Sequence, residues 1–449
     1  MNLAHRVARD LPVYYGWVIL GCVACACLSR AGPAVATLSI FVTPMTDEVG
    51  WSRTAISGAV SLGGLLAAMF SPMIGSYLDR SGPRRVLGLA VLATGVTLML
   101  LSTVTSIAGF YLLYCVARMS WAGPYDLGIH GAVSNWFVAK RAWAASLAQL
   151  AQTVGLIVMP LVGFMLIETH GWRTGWLVIG GVVLAIGFLP SWLLMVRRPE
   201  DIGLLPDGVV ATAPVSTGLD GASSAAAAKP EPQFTRAQAM RTRAFWFLAL
   251  FTALIYPVQA GLSLHQAAHL IESGLTPASA ALAVSLFTVS SAVSGFSVGL
   301  LNRFITVKVA LAVAGALLAA SALTMIAAST LTVAVLAGAL FGLGIGGVHV
   351  ILPVAWADYF GRRSFGAIRG VALSIQVVAQ ACGPLLSGIL RDATGNYRAS
   401  LVTFAVLSLL GAAAALFTSG SNLLNCRIQV LQLHTGVGGR EVPVGLDVG

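Results

Sequence analysis

The residues best suited to chemistry are charged side chains inside long apolar stretches. Arg30 and Arg118 each interrupt an apolar run of membrane-spanning length. A charge near the centre of a membrane helix costs at least about 2.5–3.5 kcal/mol, so it needs a compensating role. Arginine stays charged and can bind a carboxylate through two parallel hydrogen bonds. Because both arginines fall at a similar depth in their runs, we expect them to bind one anionic substrate.

Asp126 is the only acid deep inside a run, and it shares that run with His130. The two residues are four positions apart and therefore share one face of a helix. A buried carboxylate beside a histidine can exchange a proton near neutral pH, so both are candidates for proton coupling. The alternative is a static ion pair of Asp126 with Arg118 or Arg30.

Polar residues of the second half offer a possible opposite wall for a ligand. Tyr256, Gln259 and His349 are the candidates, although a single histidine or tyrosine in a helix is often only packed or hydrogen-bonded. Gln376 and Gln380 lie one turn apart and are expected to bond neighbouring helices. No lysine or arginine is expected in the runs 277–300 and 370–390.

Composition sets the class of protein. The chain has 449 residues, of which 57% are hydrophobic and 9% charged, and its mean hydropathy is +0.87. These values exclude a soluble domain and are typical of a protein that crosses a membrane many times. The net charge of +10 resides in short loops, so the expected partner is anionic lipid and not nucleic acid.

Enzymatic chemistry is not expected. The spacing Cys22-x-x-Cys25-x-Cys27 resembles a metal site, but no companion Cys or His pair follows it. The sequence contains no paired carboxylates, nucleotide-binding loop or nucleophile elbow in a usable context. We therefore predict no cofactor, no metal and no enzyme activity.

Twelve apolar runs predict twelve transmembrane helices. Most of the 26 lysines and arginines fall in the segments that lie on one side if the N-terminus is cytoplasmic. This bias predicts a multi-pass protein of the inner (plasma) membrane with both termini in the cytoplasm. The runs are 14–40, 54–74, 86–104, 107–135, 144–167, 174–196, 245–270, 277–300, 308–329, 331–356, 370–390 and 398–418.

The two halves repeat each other at a nearly constant offset, which indicates an internal duplication. The motif around Trp136 and Arg141 recurs around Tyr359 and Arg363. We predict an N-terminal six-helix bundle (1–196), a C-terminal six-helix bundle (244–420), a cytoplasmic linker (197–243) and a cytoplasmic tail (421–449). The middle of the linker is rich in Ala, Ser, Gly and Pro and is expected to be disordered.

A short charged loop separates the second run from the third. Asp79 lies just after the second run, where a span meets water, and is expected to pair with an arginine of the same loop. We predict that this loop, with its degenerate copy at Asn302-Arg303, latches one conformation. The predicted latch residues are Gly75, Asp79, Arg80, Gly82, Arg84, Arg85 and Arg303.

The pattern Gly75-x-x-x-Asp79-Arg80-x-Gly82, followed by Arg84-Arg85, resembles the loop motif of the major facilitator superfamily, with Pro83 as a departure. The segments 136–146 and 197–208 are similar, more weakly, to the bacterial monocarboxylate transporter and oxalate/formate exchanger branch. The resemblance implies an all-α membrane protein with twelve transmembrane helices in two six-helix pseudo-repeats. It also implies a substrate site at the midplane between the halves.

The predicted function is secondary active transport of a small organic anion, in the first place a carboxylate, by alternating access with optional proton coupling. One alternative is efflux of drugs or other small molecules by proton antiport, but Arg30 stands where such a protein would want an acid. Another alternative is a transporter-like sensor that binds its ligand without moving it. The expected partners are the anionic substrate, protons and membrane lipids, and the protein is expected to be a monomer.

Overall fold

The regular secondary structure of the described residues is helical. The computed structural model describes residues 6, 8, 12–208, 231–301 and 304–418. The predicted tail (421–449), most of the low-complexity part of the linker, and the predicted latch residue Arg303 lie outside the described residues. Within the described part, the prediction of an all-α membrane protein is confirmed.

The first half contains eight helices, four of which are halves of two interrupted spans. They are α1 (Gly16–Arg30), α2 (Val35–Val49), α3 (Arg53–Ser81), α4 (Pro83–Leu101), α5 (Ile107–Ala122), α6 (Pro124–Trp136), α7 (Arg141–Val183) and the short α8 (Leu189–Leu193), which follows a π-helical turn at Leu184–Phe188. Helix α7 contains one non-helical residue, Gly171 (φ 81°, ψ 163°), so it consists of two helices joined at a sharp turn.

The second half follows the linker. Its helices are the short α9 (Arg236–Met240), then α10 (Arg243–Glu272), α11 (Pro277–Leu301), α12 (Val307–Ile326), α13 (Leu331–Phe360), α14 (Phe365–Thr394) and α15 (Arg398–Leu416). Ten stretches of the described chain are long and apolar enough to cross a membrane. The longest of these stretches divides into two spans at Gly171. The interrupted pair α5–α6, which is not among the ten, forms one more span, so the twelve predicted spans are accommodated.

Two spans are broken near their middle, and these breaks adjoin each other. Residues 31–34 separate α1 from α2, and Gly123 separates α5 from α6. Pro124 starts α6 because its fixed φ and missing N–H suit the first position of a helix. The Tyr114 hydroxyl donates a hydrogen bond to the Pro33 carbonyl (3.1 Å) and so joins the two broken spans. Broken helices free backbone groups inside the membrane, and transporters use such places for binding.

The hydrophobic core is divided into two large clusters. One cluster is built from residues between Tyr15 and Val196, and the other from residues between Ala239 and Ala415. Val350 and Val354 of α13 belong to the first cluster, so they pack across the junction of the halves. Helix α14 lies along α3, and α11 lies along α7. The proposed domain boundaries stay a prediction.

The end of the bundle at which the linker lies is here called the linker end. There Asp207 caps the start of α7, since its carboxylate accepts hydrogen bonds from the backbone N–H groups of Val138, Ala139 and Lys140 (2.8–3.1 Å). Asp207 adopts φ 59°, the one positive φ of a non-glycine residue among those described. This strained conformation is held because its side chain satisfies three backbone donors.

Candidate anion site

Asp126 is the centre of a buried charge cluster that joins both halves of the molecule. It lies in the first turn of α6, where the helix dipole favours a negative charge. Its carboxylate is 3.1 Å from Nη2 of Arg369, 3.7 Å from Nη2 of Arg30 and 3.9 Å from Nε2 of His130. The side chain of Asp126 is 8% exposed. The helical spacing that predicted Asp126 and His130 on one face agrees with this contact.

Arg30 is fixed by groups of the neighbouring spans. It ends α1, and its Nε donates to the Trp121 carbonyl at 3.1 Å, while its Nη1 donates to Oε1 of Gln152 at 3.1 Å. The Trp121 carbonyl lies beside the break at Gly123, where the regular helical hydrogen bonds end. The break in the fourth span therefore provides the acceptor that orients Arg30.

Arg118 has no ion-pair partner among the described residues. Its Nε and Nη1 atoms are buried without a hydrogen-bond partner. Its guanidinium lies 4.1 Å from the ring centroid of Trp121, and that of Arg30 lies 4.7 Å from the same centroid. Two cations therefore share one indole, an arrangement that stabilises a cation only modestly. Of the two alternative partners for a static ion pair with Asp126, the structure shows Arg30 and not Arg118, and Arg369 is a further partner.

Arg369 is the residue that the sequence interpretation misplaced. The predicted run 370–390 begins just after Arg369, but α14 begins at Phe365 and contains it. Arg369 is 1% exposed, and its Nη2 donates to Asp126 Oδ1 and to Gln376 Oε1 (2.9 Å). The expectation of no basic residue in this span is therefore wrong. The available signal was the spacing of Arg369 and Gln376, seven positions apart, which puts both on one face of a helix.

The candidates of the second half lie at different distances from the charges. Tyr256 is 2% exposed and interacts electrostatically with Arg369, Asp126 and Arg30. The ring of His349 lies 6.4 Å from that of Tyr256. Gln259 instead accepts a hydrogen bond from Gln380 of α14 at 3.1 Å and donates one to Ser263. Tyr256 and His349 therefore adjoin the cluster, whereas Gln259 joins two helices.

The charge of the cluster is unbalanced. Arg30, Arg118 and Arg369 contribute three positive charges, and Asp126 contributes one negative charge. With neutral histidines, two positive charges stay uncompensated in a medium of low dielectric constant, which is costly. An anion of suitable size would remove part of this cost, and the free donors of Arg118 are available to bind it.

The predicted latch at the linker end has a different geometry from the expected one. Both oxygens of Asp79 accept backbone hydrogen bonds from the first turn of α14, at 2.7 Å from Gly366 and 2.8 Å from Ala367. The expected pair of Asp79 with an arginine of its own loop is therefore wrong, because the carboxylate binds unsatisfied N–H groups of a helix start in the other half. Arg197 contacts the backbone carbonyl of Asp79.

Other latch residues serve the turn and the helix contact. Gly82 adopts φ 81°, and Pro83 follows it as the first residue of α4. A Cβ atom at Gly75 would lie 1.9 Å from the Gly366 carbonyl oxygen, so glycine permits the close approach of α3 and α14. The loop arginines point elsewhere: Arg84 lies over Trp192 (5.7 Å), Arg80 lines a crevice with Tyr77, and Arg85 is exposed.

Comparison with known proteins gives consistent matches. Residues 19–270 match the family model of the Major Facilitator Superfamily. The chain is 25% identical over 413 residues to a probable L-galactonate transporter of Escherichia coli, covering 87% of this chain and 85% of the relative. It is 25% identical over 397 residues to an oxalate:formate antiporter of Oxalobacter formigenes, covering 84% and 86%.

A third relative has a different role in its name. The membrane sensor protein UhpC of Salmonella typhimurium is 28% identical over 254 residues, about half of each chain. Among solved structures, the human organic anion transporter MFSD10 (TETRAN) aligns with a TM-score of 0.67 and 18% identity over 90% of this chain and all of that chain. This last likeness concerns the fold.

The matched family model covers more than half of the chain. The two relatives that align over most of their length are named as a transporter and an antiporter. The resemblance based on the loop at Gly75–Arg85 is therefore confirmed, and so is the prediction of a transport protein as opposed to an enzyme. The chain belongs to the Major Facilitator Superfamily.

Proposed function

We propose that this chain transports a small organic carboxylate by alternating access. The observation that carries the proposal is the unbalanced cluster of Arg30, Arg118 and Arg369 around the single carboxylate of Asp126. The names of the galactonate and oxalate:formate relatives support the same class of substrate. A lipophilic cation, as in many drug exporters, would be repelled by this cluster.

The substrate carboxylate would bind at the two guanidinium groups that flank Trp121. Arg118 has free buried donors, and Arg30 lies on the same ring. Tyr256 and His349 of the second half would contact the rest of the substrate. A ligand held by side chains of both halves would favour the conformations in which these halves close around it.

Asp126 and His130 are the groups through which a proton would be coupled. In the structure, the carboxylate of Asp126 compensates the positive charges of Arg369 and Arg30. If Asp126 took up a proton, both arginines would lose that compensation and would bind an anion more strongly. Proton binding and anion binding would thus favour each other, which is the thermodynamic requirement for symport.

We also propose the orientation and the assembly. The distribution of lysine and arginine favours an inner-membrane protein with the linker end, both termini and the tail in the cytoplasm. The charge cluster is complete within one chain, which supports a monomer as the transporting unit. Regions 1–196 and 244–420 are proposed to move relative to each other, with 197–243 as the linker between them.

Thermal unfolding of the purified protein would test the substrate class. Carboxylates, neutral sugars and lipophilic cations would be compared on wild type and on Arg118→Gln. A ligand at about 100 times its Kd adds about 2.7 kcal/mol to the free energy of unfolding. We expect carboxylates alone to stabilise wild type, and this stabilisation to be lost in Arg118→Gln. Stabilisation by cations, or equal stabilisation of both proteins by carboxylates, would contradict the proposal.

A ligand-binding sensor is the second candidate function, because one relative is named a membrane sensor. Counterflow of the stabilising carboxylate in proteoliposomes separates the two functions. A transporter exchanges labelled for unlabelled substrate across the bilayer, whereas a sensor binds the substrate and leaves its distribution unchanged.

A further inference from the structure

The last residues of the linker contact both halves at the linker end. Oε1 of Glu231 accepts a hydrogen bond from Nη2 of Arg141 at 2.6 Å, and Oε2 accepts one from Nε of Arg362 at 3.0 Å. Arg141 begins α7 in the first half, and Arg362 follows α13 in the second half. One carboxylate of the linker therefore bridges the two halves.

The residues beside Glu231 are fixed as well. The Phe234 N–H donates to the Phe360 carbonyl at 3.0 Å, and their rings meet edge to face at 5.8 Å. Gly361 adopts φ 79°, and a Cβ atom there would lie 1.6 Å from the Pro232 carbonyl oxygen. The linker backbone thus passes where only a glycine leaves room. Glu231 and Pro232 fall in a stretch that composition alone assigned to a disordered linker.

Burial makes this contact stronger than a surface ion pair. The side chains of Arg141 and Glu231 are 3% and 18% exposed, so solvent screens their interaction only weakly. Arg362 also contacts Glu200 and the Asn135 carbonyl. Without Glu231, the cations Arg141 and Arg362 would both lose a carboxylate across the junction. Arg141 also pairs with Asp358 of α13, and Arg362 with Glu200, so loss of Glu231 would weaken the contact between the halves without leaving either cation unpaired.

The two equivalent junctions between the halves use different acids. Asp79 joins the first half to the start of α14, whereas its counterpart in the second half is Asn302, which has no charge. At the equivalent junction, Arg141 of the first half pairs directly with Asp358 of α13 in the second half, so Glu231 adds a second carboxylate there. Glu231 supplies a carboxylate to Arg141, at the start of the helix that corresponds to α14 in the first half.

We propose that Glu231 is a latch that stabilises the conformation closed at the linker end. This inference rests on the proposed alternating access, because opening of that end would require Glu231 to leave Arg141 or Arg362. The linker is then part of the gate as well as a connection between the halves. A partner or modification that draws the linker away would favour opening.

Cysteine accessibility in nanodiscs would test the latch. Val354 is 2% exposed and packs across the junction near the linker end, so Val354→Cys reports opening there. The rate of labelling by a membrane-impermeant maleimide would be measured, and the rate for the protein without the Val354→Cys substitution would be subtracted. We expect Glu231→Gln to raise the rate about tenfold or more, because it removes the carboxylate that accepts hydrogen bonds from two charged side chains. Glu168→Gln, an exposed acid of α7 far from the linker end, should not change it.

A double variant and a conservative variant test whether the effect comes from the contact of Glu231 with Arg362. In an Arg362→Gln background, addition of Glu231→Gln should raise labelling less than it does alone, because the two residues share one contact. If Glu231→Gln does not elute as a folded monomer, Glu231→Asp replaces it and should label at an intermediate rate. Labelling of Glu231→Gln at the wild-type rate would overturn the latch. Because labelling needs no substrate, that outcome is independent of whether carboxylates bind.

Discussion

At the scale of single residues, the arginines of the cluster differ in what they contribute to stability. Both arginines have buried Nε and Nη1 donors without partners, but Nη2 of Arg369 bonds Asp126 and Gln376, whereas Arg118 has no ion-pair partner among the described residues. Removal of one partner from a buried ion pair typically costs about 3–5 kcal/mol, while removal of an unpaired buried charge costs little or stabilises. The two arginines should therefore respond to substitution in opposite ways.

We predict that Arg369→Gln lowers the free energy of unfolding of the empty protein by about 3–5 kcal/mol. Arg118→Gln should leave it unchanged or raise it. Thermal unfolding in one detergent, without ligand, measures both. Equal destabilisation by the two substitutions would mean that Arg118 has a structural partner and is not a free anion-binding group.

A second prediction concerns Asp126. Asp126→Asn removes the only carboxylate of the cluster, so the empty protein should be less stable, and an added carboxylate ligand should stabilise it more than it stabilises wild type. The reason is that the ligand replaces a lost counter-charge. Unfolding midpoints across a ligand titration measure the difference, with Asp47→Asn, on the exposed end of α2, as the control. A smaller ligand effect in Asp126→Asn would contradict the charge argument.

Sequence reasoning identified much of this cluster. A charge inside an apolar run is visible without a structure, so Arg30, Arg118 and Asp126 were found, and helical spacing added His130. Arg369 was missed because three arginines close together, Arg362, Arg363 and Arg369, look like one loop. Its partner Asp126 is 243 positions away, and no local pattern encodes such a contact.

At the scale of elements, α3 and α14 are in contact because small residues face each other. A Cβ atom at Gly75 would lie 1.9 Å from the Gly366 carbonyl oxygen, whereas one at Gly64 on the same helix would have its nearest neighbour, Val377, at 4.0 Å. We predict that Gly75→Ala separates the helices and also lengthens the hydrogen bonds of Asp79. Gly64→Ala is the matched control.

In the Val354→Cys assay, Gly75→Ala should increase labelling several-fold, and Gly64→Ala should label like wild type. The physical reason is that backbone cannot move aside as a flexible side chain can. Similar labelling of both variants would show that the contact between α3 and α14 does not hold the linker end closed.

The helices themselves were largely predictable, because apolar length defines a span. The breaks were only partly predictable: the same Gly-Pro pair occurs at both, as Gly32-Pro33 and Gly123-Pro124, but it does not by itself distinguish a kink from a separation into two helices. The partner of Asp79 was not predictable, since free N–H groups at a helix start attract a carboxylate wherever tertiary packing brings one. The charges of the loop suggested an arginine as the partner of Asp79, but in the folded protein its partners are the backbone N–H groups of Gly366 and Ala367.

At the scale of the whole molecule, the class and the family followed from composition, span number and one loop motif. Packing between the halves did not follow, because it depends on shape and on contacts between residues far apart in sequence. The role of Glu231 illustrates this limit: composition assigned its segment to a featureless linker, yet its carboxylate joins Arg141 to Arg362.

The two uncompensated positive charges near the middle of the bundle have an electrical consequence. One elementary charge that moves across a potential of 100 mV changes in energy by about 2.3 kcal/mol. A voltage negative at the linker end would therefore draw the empty cluster toward that side and bias the unloaded carrier to open there. A bound monoanion would halve this sensitivity, and a dianion would abolish it. Transient currents of the reconstituted protein should accordingly shrink as the charge of the bound substrate increases.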